Sequence, residues 1–188
     1  MRKQEALGKV QPGKHNLITD VPGLRVGNAH DDRLRSGVTV LIPDGEMVVA
    51  VDSRGGGTGS REFDLLRPEA TVQSVNAIVL SGGSAFGLDA AGGVMAALRE
   101  KGIGYRAGAS IVPIVPAAIL FDLNNGGDKD WGTASPYPAL GRKAFETASD
   151  DFTLGNAGAG FGANAGGYKG GIGSVSMQLA DGGPTACA

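Results

Sequence analysis

Asn76-Ala-Ile-Val-Leu-Ser-Gly-Gly-Ser-Ala-Phe-Gly-Leu-Asp-Ala-Ala-Gly-Gly-Val-Met-Ala-Ala-Leu-Arg-Glu-Lys-Gly102 is the stretch whose reading decides the fold. Ala77 to Leu80 is a short apolar run and predicts a buried strand. Ser81, Gly82 and Gly83 break that run, and Ser84 is predicted to cap the helix that follows by accepting its first free amides. Leu88, Ala91, Met95 and Leu98 recur at three- and four-residue spacing, which predicts one apolar stripe. Lys101 complements the negative end of such a helix, and Gly102 is placed to stop it. A strand, a glycine turn and a helix in succession aim free backbone N–H groups at one spot, where an anion or oxyanion could bind.

Composition narrows the class. The 188 residues are enough for one domain with a sizeable core, and the 41% hydrophobic content is ordinary for a globular chain. Glycine is not ordinary, at 33 residues against a usual share of about 7%. No collagen-like period accompanies it, and the glycines follow apolar runs, where backbones turn tightly or pack closely. A formal charge of −2 offers no electrostatic reason to expect nucleic acid or an anionic membrane as partner. With a single cysteine, Cys187, no internal disulfide forms, and no apolar run reaches the roughly 18 residues of a membrane span. The first residues lack the apolar centre of a secretory signal, so a cytoplasmic location is expected.

Residues 1–17 are polar and read as a loose arm, with residues 18–188 forming one α+β domain. Leu24 to Gly27, Gly37 to Ile42 and Met47 to Val51 read as strands separated by turn signals, which suggests an antiparallel sheet. Tyr105 to Ala107 and Ala117 to Leu123 are further strands, the prolines at 113 and 116 excluding an earlier start in a central ladder. Tyr137 to Ser149 predicts a second helix with Leu140, Ala144 and Ala148 on one side. Ser174 to Leu179 alternates Val175, Met177 and Leu179 with Ser174, Ser176 and Gln178, which predicts a strand buried on its apolar face. The architecture expected is a sheet with two helices covering one face.

Several site readings compete. His15 and His30 each stand alone without a Cys/His cluster, so no metal site is expected. Ser84 resembles the G-x-S-x-G nucleophile elbow only in part: Gly82 precedes it correctly, but Phe86 occupies the second glycine position, and no histidine follows residue 30. Gly158-Ala-Gly-Phe-Gly-Ala163 satisfies G-x-G-x-x-G/A, yet the glycines after it cannot propagate the helix that a dinucleotide site needs. Asp52, Arg54, Arg61 and Glu62 border a glycine loop and are read as a structural ion-pair network rather than as chemistry. Lys169, in Tyr-Lys-Gly-Gly-Ile-Gly, is either a solvated lysine or a cation beside a glycine-lined cleft.

Ile18-Thr-Asp-Val-Pro-Gly23, Gly37-Val-Thr-Val40, Leu80-Ser-Gly-Gly-Ser-Ala-Phe-Gly-Leu-Asp-Ala-Ala91, Val112-Pro-Ile-Val-Pro-Ala-Ala-Ile-Leu-Phe-Asp-Leu123, Gly158-Ala-Gly160 and Lys169-Gly-Gly-Ile-Gly173 occur in that order. Together they resemble the P1 family of L-aminopeptidase/D-esterases, peptidase family S58, which includes β-peptidyl aminopeptidases and the nylon-oligomer hydrolase. The resemblance implies an αββα sandwich similar to N-terminal-nucleophile hydrolases, a precursor that cuts itself before a Ser or Thr, and homo-oligomers of processed subunits acting on small peptides or amides. In that mechanism the freed hydroxyl attacks and its own α-amine serves as base, with no cofactor. It also implies Lys169 as catalytic support and Gly82, Gly83, Ser84 and Phe121 as substrate-binding lining. Some members place a tyrosine at the position of Phe121, which cannot donate that hydrogen bond.

The resemblance further implies a Val-rich segment after Gly173 bearing an oxyanion-site asparagine, and a nucleophile later still. Here Asp181-Gly-Gly-Pro-Thr-Ala-Cys-Ala188 contains neither, and no strand is expected to hold that tail. The sequence is therefore expected to be the α-chain portion of an amide hydrolase, inactive alone. The alternative is a non-catalytic protein that holds a small anion or a peptide end.

Overall fold

The computed structural model describes residues 10–179 and 185–187. The strands are β1 (Val10–Gln11), β2 (Leu24–Asp31), β3 (Ser36–Pro43), β4 (Ser60–Arg61) and β5 (Ile78–Ser81). Helix α1 (Ala90–Glu100) follows, then β6 (Tyr105–Ala107), β7 (Ser110–Val112) and β8 (Ala117–Ile119). Helix α2 (Tyr137–Glu146) precedes β9 (Asn164–Ala165), β10 (Tyr168–Lys169), β11 (Ser176–Leu179) and β12 (Thr185–Cys187).

The main sheet has the order β2-β3-β5-β8-β4. Its pairs are antiparallel except β5 with β8, where α1 lies in the connection and the strands run parallel. Val38, Val40 and Ile42 of β3 and Val79 of β5 face the helices and are buried, together with Val94 and Leu98 of α1 and Leu140 and Ala144 of α2. Glycines let the two helices touch: a Cβ on Gly93 would stand 1.9 Å from the Pro138 carbonyl oxygen, and one on Gly141 2.2 Å from that of Ala90. The expected sheet with two helices on one face is therefore present. On the opposite face, Thr39 of β3 meets the turn at Gly158–Gly160, while Leu80 of β5 is 41% exposed.

Local readings differ at several points. Met47 makes only an isolated bridge to Val75, because no strand lies alongside Val48 to Val51, of which Val48, Ala50 and Val51 are exposed. The buried face of α1 is Ala90, Ala91, Gly93, Val94, Ala97 and Leu98, with Leu88 and Met95 only partly covered. Gly102 does end that helix, at φ +71°, and Ile103 N–H closes onto Leu98 O at 3.0 Å. The last predicted strand is reversed: Ser176 is buried, whereas Val175 and Met177 are each 54% exposed. Ser176 turns inward because its hydroxyl donates to Asp20 Oδ2 at 2.5 Å and accepts from Gly13 N–H at 3.1 Å.

Within the stretch read as a loose arm, Val10 and Gln11 pair antiparallel with Leu179 and Gln178; residues 1–9 lie outside the described residues. The tail expected to lack a strand instead pairs through Thr185–Cys187 with Ser176–Gln178. The four-residue ion-pair network is not formed. Arg54 pairs with Asp52 at 2.8 Å, but Arg61 reaches the Leu88 carbonyl and the Met95 sulfur.

Candidate active-site wall

Where β5 ends, the chain turns through two successive left-handed residues, Gly83 at φ +84° and Ser84 at φ +52°. Gly83, not Ser84, precedes the first turn, which is a 3₁₀ run over Ser84–Asp89 before α1 begins at Ala90. A capping serine needs extended backbone to swing its hydroxyl onto the following amides, and left-handed Ser84 lacks it. Its own N–H donates to Leu120 O at 3.0 Å, and Leu120 N–H donates to Ser81 O at 3.0 Å. The segment after β8 therefore runs beside the turn and brings Phe121, 57% exposed, next to it.

Asp122 holds this junction together. It is 2% exposed; its Oδ2 accepts from Ser36 Oγ at 2.6 Å and its Oδ1 from Gly83 N–H at 2.7 Å. Tyr137 Oη donates to Ser36 Oγ at 3.0 Å, and burial pushes the Tyr137 phenol up to about 12, so it stays a neutral donor. The glycines are fitted around these groups. A Cβ on Gly82 would lie 2.1 Å from Asp122 Oδ2, one on Gly83 2.1 Å from the Tyr137 ring, and one on Gly162 2.3 Å from Asp122 Oδ2. Asn125 Nδ2 donates to Arg35 O at 2.6 Å and Gly162 O at 3.2 Å, fastening the second glycine loop to the same place.

Lys169 is exposed but not free. Its Nζ donates to Gly160 O at 2.9 Å and Gly170 O at 2.7 Å, so the ammonium pins the β9–β10 hairpin to the Gly158–Gly160 turn. Ala159 N–H in that turn donates to Thr39 Oγ1 at 3.0 Å, and Thr39 Oγ1 donates to Asn28 Oδ1 at 2.6 Å. Gly82, Gly83, Ser84 and Phe121 thus gather at one end of the sheet, and Lys169 joins them through the loop carrying Gly160 and Gly162. Asp122, Ser36 and Tyr137 were not singled out from sequence. The available signal was a lone carboxylate inside the apolar run Ile119 to Leu123.

No base hydrogen-bonds Ser84 Oγ among the described residues, and His30 is stacked on Phe161 with ring centroids 4.2 Å apart. Burial pushes the Cys187 thiol up, which disfavours its thiolate. Among the described residues no group of three or more His, Cys, Asp or Glu is placed to hold a metal ion. None of their helices is long and apolar enough to cross a membrane.

Residues 16–187 match the description of peptidase family S58. The chain belongs to that family. It is 45% identical over 177 residues to an uncharacterized aminopeptidase of Mycobacterium bovis, covering 89% of this chain and 50% of the relative. It is 38% identical over 159 residues to the 6-aminohexanoate-oligomer endohydrolase of Kocuria sp., covering 82% and 40%. The chain thus spans about half the length of the curated relatives it matches, or less.

Among solved structures it resembles the L-aminopeptidase D-Ala-esterase/amidase from Ochrobactrum anthropi, described as a new variant of the Ntn hydrolase fold. The TM-score is 0.70 at 22% identity, over 88% of this chain and 49% of the other. A Burkholderia sp. beta-aminopeptidase gives a TM-score of 0.67 at 24% identity, over 93% and 50%. The S58 chain accordingly has a mixed α/β fold of the Ntn-hydrolase type, in a family of hydrolases.

Proposed function

We propose that residues 18–188 act as one α+β unit forming the wall of an amide-hydrolase pocket, in which a Ser or Thr freed by self-cleavage and lying outside these residues makes the attack. The observation that carries this reading is the junction at Asp122, which fixes the Gly82–Gly83–Ser84 turn beside the loop that Lys169 anchors. In this reading the third proton of the Lys169 ammonium, left over from Gly160 O and Gly170 O, stabilises the oxyanion. Gly82, Gly83 and Ser84, whose amides are spent on Gly37 O, Asp122 Oδ1 and Leu120 O, shape the cleft, and Phe121 lines the acyl pocket. A residue that is both nucleophile and amine base needs no histidine. The substrate class is a small peptide or linear amide, in line with relatives named aminopeptidase and 6-aminohexanoate-oligomer endohydrolase. The sheet face bearing exposed Leu80 receives the segment that carries the nucleophile, and the processed protein forms homo-oligomers in the cytoplasm.

The test is turnover of aminoacyl p-nitroanilides and β-peptide amides by this chain, alone and co-produced with the remaining segment of the mycobacterial relative. The chain alone is expected to be silent. The pair is expected to turn over and to show a new Ser or Thr N-terminus by mass spectrometry. Turnover by the chain alone, or an acyl adduct on any side chain between Met1 and Ala188, overturns the proposal.

A further inference from the structure

A cavity of about 500 Å³ opens at the other end of the sheet from the glycine turn. Asn76 lies on its wall, six residue steps along the chain from Gly82 and on the far side of β5, a span of roughly 20 Å. Ile42, Leu98, Ile103 and Phe145 give the cavity an apolar lining. Its volume falls in the range of small-ligand sites.

Asn76 is the informative residue. Its side chain is buried, and its Oδ1 is committed to Ile114 N–H at 2.9 Å, which fixes the amide orientation. Nδ2 has no protein partner and is open to the cavity, so it is free to donate to whatever occupies it. Lys101 lines the same cavity; it stands over the Phe145 ring at 5.8 Å and makes no ion pair among the described residues. One unpaired cation and one unpartnered amide donor suit a carboxylate.

The cavity also holds Glu46 and Glu146, each with one oxygen engaged, by Ser74 Oγ and Arg142 Nε respectively. Asp44 and Arg25 line it as well but neutralise each other at 3.3 Å. The C-terminal ends of α1 and α2 border the cavity and add a negative dipole end each. Those groups suit an ammonium.

From this lining we infer that the cavity binds a free apolar α-amino acid, its carboxylate on Asn76 Nδ2 and Lys101, its ammonium toward Glu46 and Glu146, and its side chain on the apolar wall. The site is separate from the proposed reaction centre and does not depend on that reading. Binding stands without the proposed function, whereas the consequence that occupancy reports product rests on it, since an aminopeptidase releases this class of molecule.

The experiment is amide-resolved NMR titration of the 188-residue chain with leucine, leucinamide, N-acetylleucine and isovalerate. Leucine is expected to give saturable shifts centred on Asn76, Lys101 and Ile103. Leucinamide, N-acetylleucine and isovalerate each lack one charge and are expected to bind at least about tenfold more weakly, the loss of one charge-assisted hydrogen bond. Asn76→Asp keeps the acceptor for Ile114 N–H while replacing the donor by a charge that repels carboxylate. Lys101→Gln changes an exposed side chain. Both variants are expected to weaken leucine binding by a similar factor with the native amide spectrum retained. Absence of saturable shifts up to the solubility of leucine overturns the inference. So do shifts centred on Gly83 and Ser84, equal binding of the singly charged analogues, or unchanged affinity in Lys101→Gln.

Discussion

Asp122 takes three groups out of solvent at once: its own carboxylate, the Ser36 hydroxyl and the Gly83 amide. Removing it orphans two of them. Asp122→Ala is therefore expected to destabilise the chain by about 3 kcal/mol or more in urea unfolding, with Asp122→Asn intermediate because it keeps one acceptor. Tyr137 offers a pH test of the same network. Its phenol titrates near 10 when unfolded and at about 12 when folded, because burial disfavours the phenolate. The folded state thus retains a proton that the unfolded state loses, so the contribution is complete below pH 10 and disappears as pH rises from 10 to 12. Its size is on the order of 2 kcal/mol. Stability measured across that window is expected to fall more steeply in the wild type than in Tyr137→Phe.

Helices α1 and α2 meet through glycines, so their contact is backbone against backbone. Gly141→Ala places a methyl 2.2 Å from the Ala90 carbonyl oxygen and forces the helices apart. The expected cost is about 1–3 kcal/mol, read from thermal or urea unfolding, whereas Gly92→Ala on the open side of α1 is expected to be neutral or stabilising. At the strap formed by β1, β11 and β12, the Ser176 hydroxyl holds the Asp20 carboxyl below its ordinary value. A depressed carboxylate supports the strap above its unfolded value and stops doing so as pH falls through the folded one. Ser176→Ala is expected to raise the Asp20 titration toward the ordinary carboxylate range, measured by carbon-detected NMR. Failure of that midpoint to move would place the cause with the His15 and Leu17 amides instead.

For the whole molecule, the unequal faces of the main sheet dominate. One face is closed by α1 and α2, while the other leaves Leu80 exposed; separately, Val175 and Met177 stand exposed at the β11 strap. Large apolar groups left open in this way favour association. The chain produced alone is expected to self-associate as its concentration rises, and Leu80→Lys combined with Met177→Lys is expected to shift it toward monomer in sedimentation velocity. Unchanged association in that double variant would exclude these residues as the contact.

By itself the sequence determined the segments: the strand, glycine turn and helix from Ala77 to Gly102, the second helix from Tyr137, the β2–β3 hairpin and the family to which the ordered motifs belong. Those features depend on neighbours a few positions apart, through periodicity, turn chemistry and the φ > 0 tolerance of glycine. Only the tertiary structure decided that Asp122 is the hub, since its network joins positions 86, 39 and 101 residues apart. The same holds for β11, where alternation predicted an apolar inner face and the Asp20 carboxylate drew Ser176 inward instead. A buried polar contact outweighs a local pattern because leaving it unmade costs more than exposing a valine or a methionine.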